Sequence, residues 1–394
     1  MTYSFSNLSK NIKRSEIREI LKWTRKPGLI SFGGGLPDSD LFPLKEIADI
    51  TAEVLETKGY LALQYGQTQG EPEMIEALCY HMSEFGDKAD YDNVCVVSSS
   101  QQGLDLLSML MLDEGTPIIV EMPTYLGALQ AFSRHNVNMT GIPMDNDGMR
   151  MDLLDETLSK MEEKPKFIYT IPDFQNPTGI TMSVERRKEL IAIANKYDVP
   201  IVEDSPYREL RYVGETLPSI WELSGGKNVI MLKTFSKILF PGMRMGWIVA
   251  EEEIIEKFVV LKQSVDLCTP SFNQLILANY IKKGMMKKTI EAAKKCYEPK
   301  KDAMLESLKK FMPEGVKWSE PEGGMFLWVE LPEHIDTKEI FMTAIEHDVA
   351  YVIGAPFHHD GRGKNTMRLS YSFPSVEQIH DGVERLAKMV KSIL

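Results

Sequence analysis

The stretch TFSKILFPGMRMGW, from Thr234 to Trp247, sets Lys237 and Arg244 in apolar company edged by the hydroxyls of Thr234 and Ser236. Apolar surroundings disfavour the charged form of a lysine, so its free amine becomes a usable nucleophile. Two hydroxyls and a forked guanidinium supply the several donors that a dianion such as phosphate requires. Pro241-Gly242 keeps both cations off one continuous helix and places them on a loop.

Three other segments carry residues of complementary chemistry. SSSQQGLDLL (98–107) opens a helix with serines at the cap position and free backbone N–H groups, a ready anion site at Ser100 and Gln101. PDFQNPTG (172–179) places Asn176 in a turn before Pro177. VEDSPYREL (202–210) puts Asp204 at the end of a strand with Tyr207 three residues on. A nucleophilic lysine, a phosphate grip and a carboxylate are what pyridoxal phosphate requires: an aldehyde to hold as a Schiff base, a phosphate to anchor and a pyridine nitrogen to keep protonated.

The elements that must position these residues are short β-rich runs alternating with helical patterns. NVCVVS (93–98), TPIIVE (116–121), KFIYTI (166–171), PIVED (200–204), VIML (229–232) and GWIVA (246–250) read as strands, with helical patterns from Gln101 and Leu126. Near-continuous apolar strands in such alternation predict an α/β fold, a mostly parallel central sheet with helices on both faces. Ligands of such sheets gather beyond the carboxyl ends of the strands, where the candidate residues fall. After about residue 280 a Lys/Glu-rich helical stretch leads to GMFLWVELP (324–332) and TMRLSYS (366–372), a smaller α+β unit. The expected division is an N-terminal arm contributing to the small domain (1–45), a large cofactor-binding domain (46–280) and a C-terminal small domain (281–394).

The 394 residues carry 43% hydrophobic and 26% charged side chains, ordinary globular composition. A formal net charge of -12 repels a phosphate backbone, which argues against nucleic acid as a partner and favours small metabolites. The four cysteines are scattered without a Cys-x-x-Cys pair and read as core thiols of a reducing compartment. No apolar run reaches the ~18 residues of a membrane span, so a cytoplasmic protein without membrane contact is expected. GRGKNT (361–366) lacks the spacing of a phosphate loop, and His358-His359-Asp360 lacks the i, i+4 geometry of a helical metal pair. No metal site is expected.

In this order the motifs resemble the pyridoxal-phosphate-dependent aminotransferases of fold type I, classes I and II. The resemblance is greatest to the group holding 2-aminoadipate and kynurenine aminotransferases, the LysN-like enzymes included. It runs from IREILKWTRKPGLISFGGGLP to NTMRLSYS, with TFSK…PGMR, NPTG and ED..Y as its specific marks. It implies that Lys237 carries the cofactor as a Schiff base and, once released by substrate, shuttles a proton between the substrate α-carbon and C4′ of the cofactor. It further implies that Asp204 pairs with the pyridine nitrogen and that Asn176 and Tyr207 bind the ring oxygen. Ser100, Gln101, Thr234, Ser236 and Arg244 would hold the phosphate, and Tyr125 would stack on the ring. Arg368 would clamp the substrate α-carboxylate with the backbone of Gly35 opposite. Tyr65 matches a tyrosine that reaches the phosphate of a neighbouring subunit, which implies a homodimer with shared active sites.

Two positions depart from the pattern: Ser99 stands where the family usually has glycine, and Thr234 where it often has serine. Arg18, in SEIREILK, falls where an arginine of the aminoadipate group reaches the distal carboxylate. SFGGGLPDSDLFP (31–43) follows as a segment that can close over substrate. The expected reaction moves an α-amino group from 2-aminoadipate, an aromatic amino acid, kynurenine or a leucine-like donor to a 2-oxo acid, with 2-oxoglutarate foremost, by a ping-pong mechanism. The cofactor residues leave open a lyase or decarboxylase on the same fold. A non-catalytic effector-binding regulator would need a DNA-binding head, for which a match beginning near residue 15 leaves no room.

Overall fold

The computed structural model describes residues 3–6, 9 and 26–394. Strand β1 (Ile30–Ser31) pairs in parallel with a strand from the C-terminal part, so the N-terminal segment is tied there from the outset. The central sheet is built from β2 (Val94–Val97), β3 (Pro117–Met122), β4 (Asn138–Asp145), β5 (Gly148–Met149), β6 (Ile168–Thr170), β7 (Ile201–Asp204), β8 (Val229–Thr234) and β9 (Gly246–Val249). Its order is β2-β9-β8-β7-β6-β3-β4-β5. The pairs β3–β4, β3–β6, β6–β7 and β7–β8 are parallel, while β9 runs against both its neighbours.

Every residue of β2, β3, β7, β8 and β9 is buried, which is why these strands read as unbroken apolar runs and why helices must cover both faces. The helix Ser99–Met111 lies against β8 and β9. A Cβ at its Gly103 would sit 3.2 Å from Leu232, so the small residue sets how closely helix and sheet pack. Strand β4 is absent from the sequence-based expectation. It is mostly half-buried or exposed and contains Gly141 and Pro143, so neither its composition nor its pattern resembles its buried neighbours.

A second, antiparallel sheet has the order β10-β11-β14-β13. It comprises β10 (Lys317–Trp318), β11 (Phe326–Glu330), β13 (Val352–Ile353) and β14 (Thr366–Ser370), while β12 (Val349–Ala350) is the partner of β1. Leu327, Val329, Leu369 and Leu386 belong to a core separate from that of the large sheet. The long helix Met285–Phe311 contributes Ile290 and Tyr297 to the first core and Met304 and Leu308 to the second.

Candidate active site

A cavity of ≈ 290 Å³ opens at the carboxyl ends of the parallel strands. Every residue expected to hold the cofactor lines it except Tyr65, which is 78% exposed on this chain. Arg18 lies outside the described residues.

Asp204 closes β7 between the ends of β6 and β8. Tyr169 of β6 donates its hydroxyl to Asp204 Oδ2 at 2.7 Å, whereas Oδ1 is buried with no hydrogen-bond partner. Burial lifts this carboxyl to a pKa of about 6, and the Tyr169 hydrogen bond counters part of that rise. An orphaned carboxylate oxygen facing a cavity asks for a cationic N–H donor, as a pyridinium offers. Tyr169 was not foreseen, because a tyrosine in an apolar strand has the signature of a core aromatic. The one available signal was its hydroxyl one position from the carboxyl end of the strand beside Asp204.

Lys237 follows β8. Burial, reinforced by the nearby Arg368 and Arg244 cations, lowers its pKa to about 8. Its Nζ donates to the carbonyl of Gly35 at 2.8 Å. Arg368, on β14 opposite Trp328, donates to Asn176 Oδ1 at 2.8 Å and to the Gly33 carbonyl at 2.9 Å. Its guanidinium lies 4.1 Å from the centroid of the Phe326 ring, and its Nε is buried without a partner. A Cβ at Gly35 would fall 2.6 Å from that ring, so only glycine lets the segment lie so close. The same segment is held further along by Asp38, which accepts from Lys300 at 2.6 Å while its N–H donates to the Tyr297 hydroxyl.

The loop bearing Tyr207 is fixed from beneath by a buried ion cluster. Arg208 Nη1 donates to Asp87 Oδ2 at 2.6 Å, and Lys233 Nζ meets Glu209 Oε1 at 2.8 Å. Charges so deeply buried persist only when paired. Tyr207 packs edge-on against Phe326, with ring centroids 5.9 Å apart, and burial pushes its phenol well above the usual range.

At the other end of the cavity Thr234 and Ser236 are joined hydroxyl to hydroxyl at 3.0 Å. The helix Ser99–Met111 begins there without the expected serine cap. Ser98 holds the cap position, but its side chain bonds no helical N–H; instead its own N–H donates to Gln102 Oε1 at 2.7 Å. No hydroxyl therefore competes with an anion for the first N–H groups of this helix. Gln102 is in turn anchored by donating to Asp266 at 2.7 Å. Tyr125 lines the wall, its hydroxyl 3.5 Å from Gln101 Oε1. Among the described residues no group of three or more His, Cys, Asp or Glu is placed to hold a metal ion, and no helix is long and apolar enough to cross a membrane.

The family described as aminotransferase class I and II matches residues 27–386, and the chain belongs to it. Within it the chain falls in the LysN-like group of fold-type I and is a pyridoxal-phosphate-dependent aminotransferase. It is 47% identical to aromatic-amino-acid aminotransferase 1 of Thermococcus litoralis, over 98% of this chain and 94% of that one. It is 39% identical to the 2-aminoadipate transaminase of Thermus thermophilus, over 99% and 97%. Among solved structures, the kynurenine aminotransferase of Pyrococcus horikoshii in complex with PMP, KYN and KYA superposes with a TM-score of 0.96 at 44% identity, covering 99% of this chain and 97% of that one.

Proposed function

We propose that this aminotransferase moves the α-amino group of an aromatic amino acid, 2-aminoadipate, kynurenine or a leucine-like donor to a 2-oxo acid, with 2-oxoglutarate foremost, in two half-reactions at one site. The observation that carries this reading is the meeting, in one cavity, of Lys237 with a pKa of about 8 and Asp204 with an unpartnered oxygen. The activities in the relatives' names support the donor range.

Pyridoxal phosphate supplies, when bound, an aldehyde that takes up the amino group and a ring that accepts the electrons of the α C–H bond. Asp204 holds a proton at the ring nitrogen. Asn176 and Tyr207 bind the ring oxygen. Thr234, Ser236 and Arg244, with Ser100 and Gln101, hold the phosphate, and Tyr125 covers the ring. Arg368 grips the substrate α-carboxylate in a bidentate fork against the Gly35 backbone, which orients the α-hydrogen. Lys237, neutral over part of the physiological range, would take that proton and deliver one to C4′ of the cofactor. Phe326 and the Gly33–Gly35 segment exclude water from the reacting atoms.

Two further assignments belong to this reading. Tyr65, standing out beside the exposed Tyr60 and Leu63, reaches the phosphate site of a second copy in a homodimer, and sedimentation of the purified chain as a monomer would refute this. Arg18 reads the distal carboxylate of acidic donors, so Arg18→Ala weakens them by ~1–3 kcal/mol relative to leucine or phenylalanine. The second core, which joins Ile30 and Phe32 to residues from Ala303 onward, supports grouping an arm (1–45) with a small domain (281–394) apart from a large domain (46–280), although the helix Met285–Phe311 contributes to both cores. The compartment that fits this reading is the cytoplasm.

The test is the absorbance spectrum of the purified protein while amino acids are added one at a time. A yellow band that bleaches with some donors and returns with 2-oxoglutarate supports both half-reactions and ranks the donors. Release of ammonia or carbon dioxide in place of a new amino acid would make the protein a lyase or decarboxylase instead.

A further inference from the structure

Ser99 adopts φ +69°, the left-handed region in which a side chain is disfavoured and glycine is at ease. Arg244, across the phosphate end of the cavity, adopts φ +52°. Eight non-glycine residues with positive φ occur among the described residues, and these two alone join side chain to side chain: Arg244 Nη2 donates to Ser99 Oγ. Ser99 is 3% exposed and lines the cavity beside Ser100, so the bond lies within the proposed phosphate pocket.

Close packing locks the unusual conformation. A Cβ at Gly246, the first residue of β9, would lie 2.8 Å from Ser99 C and Ser100 N, so sheet and loop touch backbone to backbone. Glycine at position 99 would meet this geometry with less strain, yet would leave the Arg244 guanidinium without that acceptor. Strain held at a ligand site calls for a compensating interaction, and the hydroxyl is the one group that serine adds over glycine to supply it.

We propose that Ser99 is an additional anchor of the cofactor phosphate: its Oγ seats the Arg244 guanidinium, and its own O–H, left free by accepting, donates to a phosphate oxygen. Arg244 is exposed, and its other hydrogen bond, from Nη1 to the Pro241 carbonyl, is long at 3.4 Å. Seated by Ser99, it presents its remaining N–H groups to the anion already in place. This inference rests on the reading of the cavity as a pyridoxal phosphate site.

The test compares the full-length protein with Ser99→Gly and Ser99→Ala, each stripped of cofactor and titrated by absorbance with pyridoxal phosphate and, separately, with pyridoxal, which lacks the phosphate. Thermal denaturation of the stripped proteins reports folding. The expected result is that both variants fold, Ser99→Gly at least as stably as the parent. Both should bind pyridoxal phosphate about tenfold more weakly, as befits one lost charged hydrogen bond, with pyridoxal affinity unchanged. Parental affinity for pyridoxal phosphate in either variant overturns the inference, as does an equal loss for pyridoxal, which would mark a purely structural role. Failure of the parent itself to bind pyridoxal phosphate would instead overturn the cofactor reading on which the inference stands.

Discussion

Lys237 Nζ donates to the carbonyl oxygen of Gly35 at 2.8 Å, although 202 residues separate them. The glycine-rich segment at Gly33–Gly35 thus holds the Lys237 amine. Arg368 is held by the neighbouring Gly33 carbonyl, so one short stretch of backbone satisfies both the nucleophile and the carboxylate fork. Under the proposed function both bonds would give way as cofactor and substrate took these side chains.

The first prediction follows from the depressed pKa of Lys237. Only the neutral amine attacks an aldehyde, and its share falls tenfold per pH unit below about 8. The rate at which stripped protein captures pyridoxal phosphate should rise with pH to about 8 and level off above it. Stopped-flow absorbance measures this, and a rise continuing past pH 10 would mean that the lysine is unperturbed.

Replacing Lys237 by alanine removes both the tether and the proton carrier. Transamination should fall by at least ~10³-fold with the far-ultraviolet circular dichroism unchanged. Substantial turnover in a well-folded variant would sink the role given to this residue.

Tyr169→Phe deletes the one hydrogen bond to the Asp204 carboxylate and leaves that group still more inclined to take up a proton. A protonated Asp204 cannot hold a pyridinium. Expected is a fall in kcat of about tenfold, partly recovered as the pH is raised from 6 to 8 and the carboxyl ionises. A flat ratio to wild type across that range would show the tyrosine to be packing alone.

Arg368→Leu should raise KM for every donor and lower kcat/KM by roughly 10²-fold or more, because two charged hydrogen bonds to the α-carboxylate are lost. Arg368→Lys should recover little of this, since one ammonium cannot reproduce a planar fork. Steady-state kinetics with two unlike donors decides it: a loss confined to one donor would place the arginine at the side chain instead.

Asp87→Ala tests the buried cluster beneath Tyr207. It leaves Arg208 and Lys233 short of their shared carboxylate, with Arg208 and Asp87 both fully buried. A loss of ~3–5 kcal/mol in chemical denaturation is expected. A loss below ~1 kcal/mol would mean that water reaches the cluster and screens it.

The parallel strands were legible because burial on both faces leaves unbroken apolar runs, and the residues at their carboxyl ends could be placed from the rule for open α/β sheets. Strand β4 was not, since its half-exposed pattern with Gly141 and Pro143 also suits a loop. Ser98 illustrates a different limit: residue type marked the helix start correctly, but whether a hydroxyl bonds the helix depends on φ/ψ, and here Ser98 makes no cap bond and gives its own N–H to Gln102. Tyr169 gained its meaning only from strand order, which sets β6 beside β7. Ser99 was visible as a departure from the resembling family, but its left-handed backbone and its bond to Arg244 were not.

The bond from Arg368 to Asn176 joins the small sheet to a loop of the large one. Under the proposed function a substrate carboxylate at Arg368 would share or displace that bond, so filling the fork would also act on the contact between the two sheets.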